Sequence, residues 1–273
     1  MSESAKLTGA WEPVTPRGVA AFARAGFGRL LLVQWAIALL AAAVVVWFIH
    51  KGCFPVLGTA IQKLPAAGEI RSGRLDWHGH SPQLLAEGRF LAFDVDLNHS
   101  RQIGSPADVQ IEFGRKTVRV SSLFGYRDWD YPRGYVIAFN RNELEPLWGA
   151  WAAELLIMAG AATTIGLLLS WSLLATLYFP PVWMLGFFTN RDLNFRQSWR
   201  LAGASLMPGA LLLAAAIVFY GVGFLNLVSF GFTFGAHLLI GWIYLFVSLL
   251  FVPPAPVTAS QGNPFRRSRK GRE

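Results

Sequence analysis

Cysteine and acidic charge are what this chain has least of. Cys53 is its one cysteine, so no disulfide can close within it. Any folded domain must therefore rest on its own apolar core. The residues before Cys53 are Ile49-His50-Lys51-Gly52. That departs from the small apolar triplet of a lipoprotein processing site and argues against lipid attachment. Charged residues make up 15% of the 273, where a soluble domain carries about a quarter.

The acids are also unevenly spread. Of 16 Asp and Glu, 11 lie between His50 and Leu147, and that stretch holds 12 Lys and Arg, so it is close to neutral. The net charge of +8 comes from elsewhere: the N-terminal arm, Arg191, Arg196 and Arg200, and the tail Arg266, Arg267, Arg269, Lys270 and Arg272. Nucleic-acid binding expects basic residues clustered on a folded domain. Here they flank apolar runs, where positive charge sets membrane orientation.

What is present is apolar length. Between Leu30 and Phe48 there is no charge, and Gln34 is the only strongly polar side chain. At helical rise, Arg29 to Ile49 spans about 30 Å, a bilayer core, and it exceeds the 7–15 apolar residues or so of a signal peptide. The run reads as an uncleaved signal anchor. From Leu147 to Phe188 only Glu154 is charged. One straight helix of that length would reach about 60 Å, so Pro180-Pro181 is expected to stop it. Val182 to Phe188 would then lie in the interface rather than form part of a fifth span. Leu201 to Val252 has no charged residue and must fold back. Gly221, Gly223, Gly231 and Gly235, with Asn226, mark the reversal, and Pro253-Pro254 ends the last helix.

The fold class expected is an integral membrane α-helical protein with four transmembrane helices and an inserted extracytoplasmic α+β domain, its sheet mostly antiparallel. The divisions are a cytoplasmic arm 1–28, helix 29–49, outer domain 50–147, helix 148–178, cytoplasmic link 179–200, helix 201–220, outer hairpin 221–233, helix 234–252 and basic tail 253–273. Both termini inside satisfies every short loop, and long domains cross largely regardless of charge. Trp47, Trp148 and Trp151 near one face and Trp183 and Trp199 near the other agree with interfacial belts.

Within 50–147, Phe54–Lys63 is expected to form a short helix. Leu91, Phe93, Val95 and Leu97 alternate with Ala92, Asp94, Asp96 and Asn98, which predicts a half-buried strand. Val109, Ile111 and Phe113 predict a second, and Val118 and Val120 a third, with Gly114-Arg115 as a hairpin turn. Glu69–Trp77 and Tyr135–Phe139 are weaker candidates. Four to six strands are expected, and Asn142-Glu143 is expected to begin the next helix.

The entry Leu64-Pro65-x-x-Gly68-x-Ile70-x-x-Gly73-x-Leu75, followed by an apolar strand bearing Asp94, resembles a bacterial membrane family of unknown function with members linked to maltodextrin utilisation. Phe195-Arg196-Gln197-Ser198-Trp199-Arg200-Leu201, leading to Pro208, is similar to a helix entry of that family and of the related Yip-type bundles. Asp94 precedes Val95, where the family usually has a small hydroxyl residue. The resemblance implies a bacterial inner membrane and brings no catalytic residues.

Three constellations carry chemistry. Asp76, His78 and His80 have a metal-ligand spacing on a strand, with His99 as a distant fourth. Gly79 and Ser81-Pro82 favour a solvated turn there instead. Glu154 and His237 are the ionisable residues inside apolar runs, and such groups are functional candidates. Each lies near the outer end of its helix, where an interfacial or mutual pairing accounts for it. Ala159, Gly160, Thr163, Thr164 and Gly166 suit close helix packing. No catalytic, cofactor-binding or metal residue is assigned, and no cofactor is expected.

The function expected is non-enzymatic: the outer domain senses, scaffolds or modulates a membrane complex. Its partners would be the lipid bilayer and other membrane or periplasmic proteins. An accessory transporter subunit or small permease is the alternative, and an enzyme acting outside the membrane the third. An exposed sheet edge or apolar patch favours the first. A polar cavity reaching Glu154 and His237 favours the second, and a pocket lined by Asp76, His78 and Asp94 the third.

Overall fold

The computed structural model describes residues 11–100 and 102–255, and the basic tail from Arg266 onward lies outside them. Among the described residues four helices are long and apolar enough to cross a membrane. The chain divides into two compact units.

The first unit comprises 11–37, 167–211 and 235–255 of the described residues. Helix α1 (Pro16–Phe22) starts at Thr15, whose hydroxyl accepts from Gly18 N at 3.0 Å. Helix α2 (Phe27–Phe48) follows. Gln34, the polar exception in that run, is buried, and its amide donates to Gly203 O at 3.2 Å. A buried amide without such a partner would cost several kcal/mol, roughly 2–7. Arg24 pairs with Asp192 at 2.8 Å. Arg191 donates to Val252 O at 2.8 Å, and Ala255 N to Asn190 O at 2.9 Å.

The second unit comprises 38–166 and 212–234. Helix α2 passes through a π turn at Ile49–Cys53 into α3 (Phe54–Gln62), the short helix expected from the sequence. Eight strands then form two sheets, more than the four to six expected. The first sheet has the order β2-β1-β8, with β1 at Gly68–Arg71, β2 at Arg74–Trp77 and β8 at Val136–Ala138. The expected single strand over Glu69–Trp77 is thus a hairpin, turned by Ser72 and Gly73, both at positive φ. The second sheet has the order β3-β4-β5-β6-β7. Its strands are Gln83–Glu87, Leu91–Val95, Val109–Phe113, Thr117–Ser122 and Gly125–Asp130. All neighbours are antiparallel except β4 and β5. The expected turn at Gly114-Arg115 joins β5 to β6. Strands β3 and β7 were not legible.

Ala60, Leu64, Ile70, Leu75, Leu85, Phe93, Val95, Tyr131 and Phe139 form the core, with Ile111, Phe113, Val118 and Leu144 packed on it. Two sheets, α3 and the first turns of the next helix therefore share one apolar interior. Tyr131 OH donates to Gly114 O at 3.0 Å, tying the chain before β8 to the β5–β6 turn. On the helix side of this unit, Tyr220 OH donates to Asp108 Oδ2 at 2.6 Å and Arg89 to Leu225 O at 2.8 Å. Phe90 packs between Phe48 and Tyr220, at 5.0 and 4.8 Å between ring centroids.

Three sequence expectations about the helices are corrected. Helix α4 (Arg141–Phe188) runs 48 residues without stopping at Pro180-Pro181, so Val182–Phe188 continues the helix rather than forming a separate segment. Prolines remove amide donors, but packing holds the turn beyond them. Val182 is fully buried, Trp183 stacks on Phe195 at 4.8 Å, and a Cβ at Gly186 would lie 3.0 Å from Leu193. Its length is about 72 Å, far more than a bilayer core needs. Next, the 201–220 span starts earlier, at Phe195, and has a one-residue break at Leu206 before Pro208, between α5 (Phe195–Ser205) and α6 (Met207–Val222), with Phe195–Gly221 together long enough to cross a membrane. Asn194 caps α5 with a capping box to Gln197, so the link gives up its last residues to helix. Last, the outer hairpin is shorter than 221–233. Gly223, at φ 95, turns the chain, and α7 (Leu227–Leu249) begins soon after, with Gly231 and Gly235 inside it.

Candidate functional site

The second sheet has two unlike faces, and alternation along its strands decides which residue goes where. Phe93, Val95, Ile111, Phe113 and Val118 turn to the core. The opposite face holds a row of charged residues in register across four strands: Asp94 beside Glu112, Glu112 beside Arg119, Arg119 beside Asp128. Ala92, Gln110, Ser121 and Tyr126 form the adjacent row.

This polar face is not solvated along its length. Strands β4 and β5 are parallel, and a parallel pair needs a crossover rather than a tight turn. The described residues of 96–108 make it without a helix. They lie over the charged row, held by side chains. His99 Nδ1 meets Glu112 Oε1, and His99 Nε2 meets Thr117 Oγ1 at 2.8 Å. Gln110 donates to Ile103 O at 3.3 Å, and Ser105 Oγ to Glu87 at 2.6 Å. Asp96 accepts from Asn98 N at 3.2 Å and Ser100 Oγ at 2.6 Å. Asp94, Asp96 and Glu112 are buried as a result. The half-buried strand expected at 91–97 is corrected: β4 is covered on both faces.

Asp94 is the odd member. Its Oδ1 accepts from Gln110 at 2.9 Å, and its Oδ2 is buried with no partner. Loss of hydration raises its pKa to about 6, helped by the Glu112 and Asp96 carboxylates and opposed by the Gln110 amide and His99. Farther along the row, Arg119 makes a fork to Asp128, at 2.7 and 3.0 Å, lies 3.9 Å from Glu112, and sits 4.7 Å above the Tyr126 ring. Gln110, Glu112, Arg119, Ser121 and Tyr126 line a concavity of about 360 Å³. It offers amide, carboxylate, guanidinium, hydroxyl and aromatic surface, a set suited to a small polar ligand.

The residues singled out in the sequence lie elsewhere. Strand β2 ends at Trp77, so His78 and His80 have no strand face to share with Asp76. His78 Nε2 is 4.0 Å from Asp76 Oδ2, both exposed, and Trp77 Nε1 donates to His80 O at 2.8 Å. His99 is engaged by Glu112 and Thr117 instead of joining them. Among the described residues no group of three or more His, Cys, Asp or Glu is placed to hold a metal ion. Glu154 is exposed on α4, in the second unit, and His237 is half-buried on α7, in the first. Gln110, Glu112, Arg119 and Asp128 were missed. The signal was there for Gln110, Glu112 and Arg119, each the polar member of an alternating strand, but not for Asp128 on the fully exposed β7, and the row needs the register.

The β7 edge is the other candidate. All six of its residues are exposed, and its outer edge has no strand neighbour among the described residues. The turn before it carries Leu123 and Phe124, 66% and 77% exposed, and Tyr126 and Trp129 are exposed along it. No protein-family model matches this chain, and neither does any curated protein or solved structure.

Proposed function

We propose that this is a multi-pass protein of a bacterial inner membrane, both termini cytoplasmic, whose sheet domain stands outside and binds a partner in a membrane complex without catalysing a reaction. The open β7 edge carries this reading. An unpaired strand offers a row of backbone donors and acceptors, and native proteins normally blunt or cover such edges. Leu123, Phe124, Tyr126 and Trp129 add exposed apolar and aromatic surface of the type that anchors interfaces. Addition of a partner strand to the edge is the recognition mode this supports. The polar concavity beside it supplies a place for a small ligand, which is the sensing part of the reading.

A photo-reactive residue at Trp129 in the full chain, cross-linked in membranes and purified in mild detergent, tests this. One discrete adduct, lost when the same probe is placed at Arg74 on the other sheet, supports partner capture. No adduct at position 129 sinks it. The buried Asp94, its pKa raised to about 6, favours a second reading, an enzyme acting outside the membrane. Turnover abolished by Asp94→Asn would select it.

A further inference from the structure

The first unit contains a cleft of about 540 Å³ lined by Phe27, Phe179, Phe195, Arg196, Trp199 and Arg200. Its lining is four aromatic rings and two guanidinium groups. The rings neighbour one another: Trp199 Nε1 donates to Thr176 Oγ1 at 3.1 Å, Phe27 lies 5.9 Å from Trp199, and Phe179 lies 6.1 Å from Phe195 between centroids. Phe27 and Phe195 remain more than half exposed, at 55% and 58%.

The two arginines are placed where cations are disfavoured. Arg196 and Arg200 are four residues apart on α5, so they share a face and repel. Arg196 is also in the first turn of the helix, at the positive end of its dipole, and no acid accompanies it there. Neither arginine has an acidic partner among the described residues. Arg200 donates through Nη1 to Ala25 O, and its Nε is buried with no partner at all. A buried donor left unmade is costly. Two like charges, a helix N-terminus and an unmet donor all call for an anion, and the rings beside them call for something apolar attached to it.

We infer that this cleft binds an anionic phospholipid, its phosphate held by Arg196 and Arg200 and its acyl chains laid against Phe27, Phe179, Phe195 and Trp199. Free phosphate fits the charge but leaves the aromatic wall bare. The charge pattern of the short loops puts the Thr189–Arg200 link on the cytoplasmic side, where anionic lipid is abundant. The inference draws on the membrane reading for the source of the ligand and is independent of the β7 edge.

Native mass spectrometry of the full chain in mild detergent tests it, with phosphatidylglycerol, phosphatidylcholine and inorganic phosphate titrated separately. Phosphatidylglycerol should bind about tenfold more tightly than phosphatidylcholine, the worth of one charge-assisted contact. Arg196→Gln, at an exposed position, should remove most of that preference, and Arg74→Gln on the sheet domain should leave it intact. Equal binding of the two lipids overturns the inference. So does displacement of phosphatidylglycerol by inorganic phosphate, which would make the site one for a free anion. Trp199→Ala should weaken both lipids while the helical circular dichroism is kept, and unchanged binding would remove the acyl-chain part.

Discussion

Gln110 donates to one oxygen of Asp94 at 2.9 Å and leaves the other, Oδ2, buried with no partner. The same amide also donates to Ile103 O at 3.3 Å, so one side chain joins the acid of β4 to the crossover that covers it. The protonation state of Asp94 is thereby linked to the seating of 96–108.

That linkage has a sign. The folded carboxyl titrates at about 6, against an ordinary value of 3.8. Between those pH values the folded chain holds more protons than the unfolded one, so stability falls as pH rises through the window and stays low above it. Urea denaturation of the detergent-solubilised chain, read by tryptophan fluorescence, should give about 2–3 kcal/mol more stability near pH 4 than near neutrality from this group. Asp94→Asn should flatten the slope and stabilise the neutral protein. A variant less stable than wild type at neutral pH would count against a raised Asp94 pKa.

Gly114 sits under the His99 ring. An added Cβ there would collide with the imidazole and approach Thr117 O at 3.0 Å. Gly114→Ala should expel His99 from Glu112 and cost about 1–3 kcal/mol. Limited proteolysis should then cut within 96–108 faster. Because His99→Ala removes the same latch, the double variant should be less than additive. Full additivity would mean that the two do not act through one contact.

Helices α6 and α7 approach each other at Gly209, where a Cβ would stand 2.5 Å from the carbonyl oxygen of His237. Gly209→Val should force the two helices apart and lower the thermal midpoint, at a cost of about 1–3 kcal/mol. Gly235→Ala, with nothing within 4 Å, is the control and should change little. Equal effects of the two would discount the close approach.

The orientation proposed for the sheet domain is open to a labelling test, aided by the single native cysteine. In a Cys53→Ala background, a membrane-impermeant maleimide should label Leu123→Cys in intact cells. It should label Thr189→Cys only after permeabilisation. The reverse pattern would invert the topology.

How much of this was legible follows from which forces are local. Runs such as Leu30–Phe48 and Leu201–Val252 announce their helices, because an uncharged stretch of that length has few other low-energy settings. The short helix after Cys53, the β5–β6 turn at Gly114-Arg115 and the strand at 91–95 follow from periods of 3.6 and 2. Strand β7 was missed because its alternation is not apolar: Tyr126, Asp128 and Asp130 lie on a strand exposed throughout. Pro180-Pro181 misled, since a local rule against proline gave way to the burial of Val182 and the stacking of Trp183 on Phe195.

The sequence by itself determined the division of the chain: four apolar helices, one charge-balanced sheet domain, no disulfide. Those properties depend on composition and spacing along the chain. Only the tertiary structure decided that Asp94, Glu112, Arg119 and Asp128 form one row and that 96–108 buries its acidic end. It also decided that Arg196 and Arg200 face an aromatic cleft without an acid beside them. Register between strands and packing between distant segments set those neighbours, and with them the loss of water that raises the Asp94 pKa.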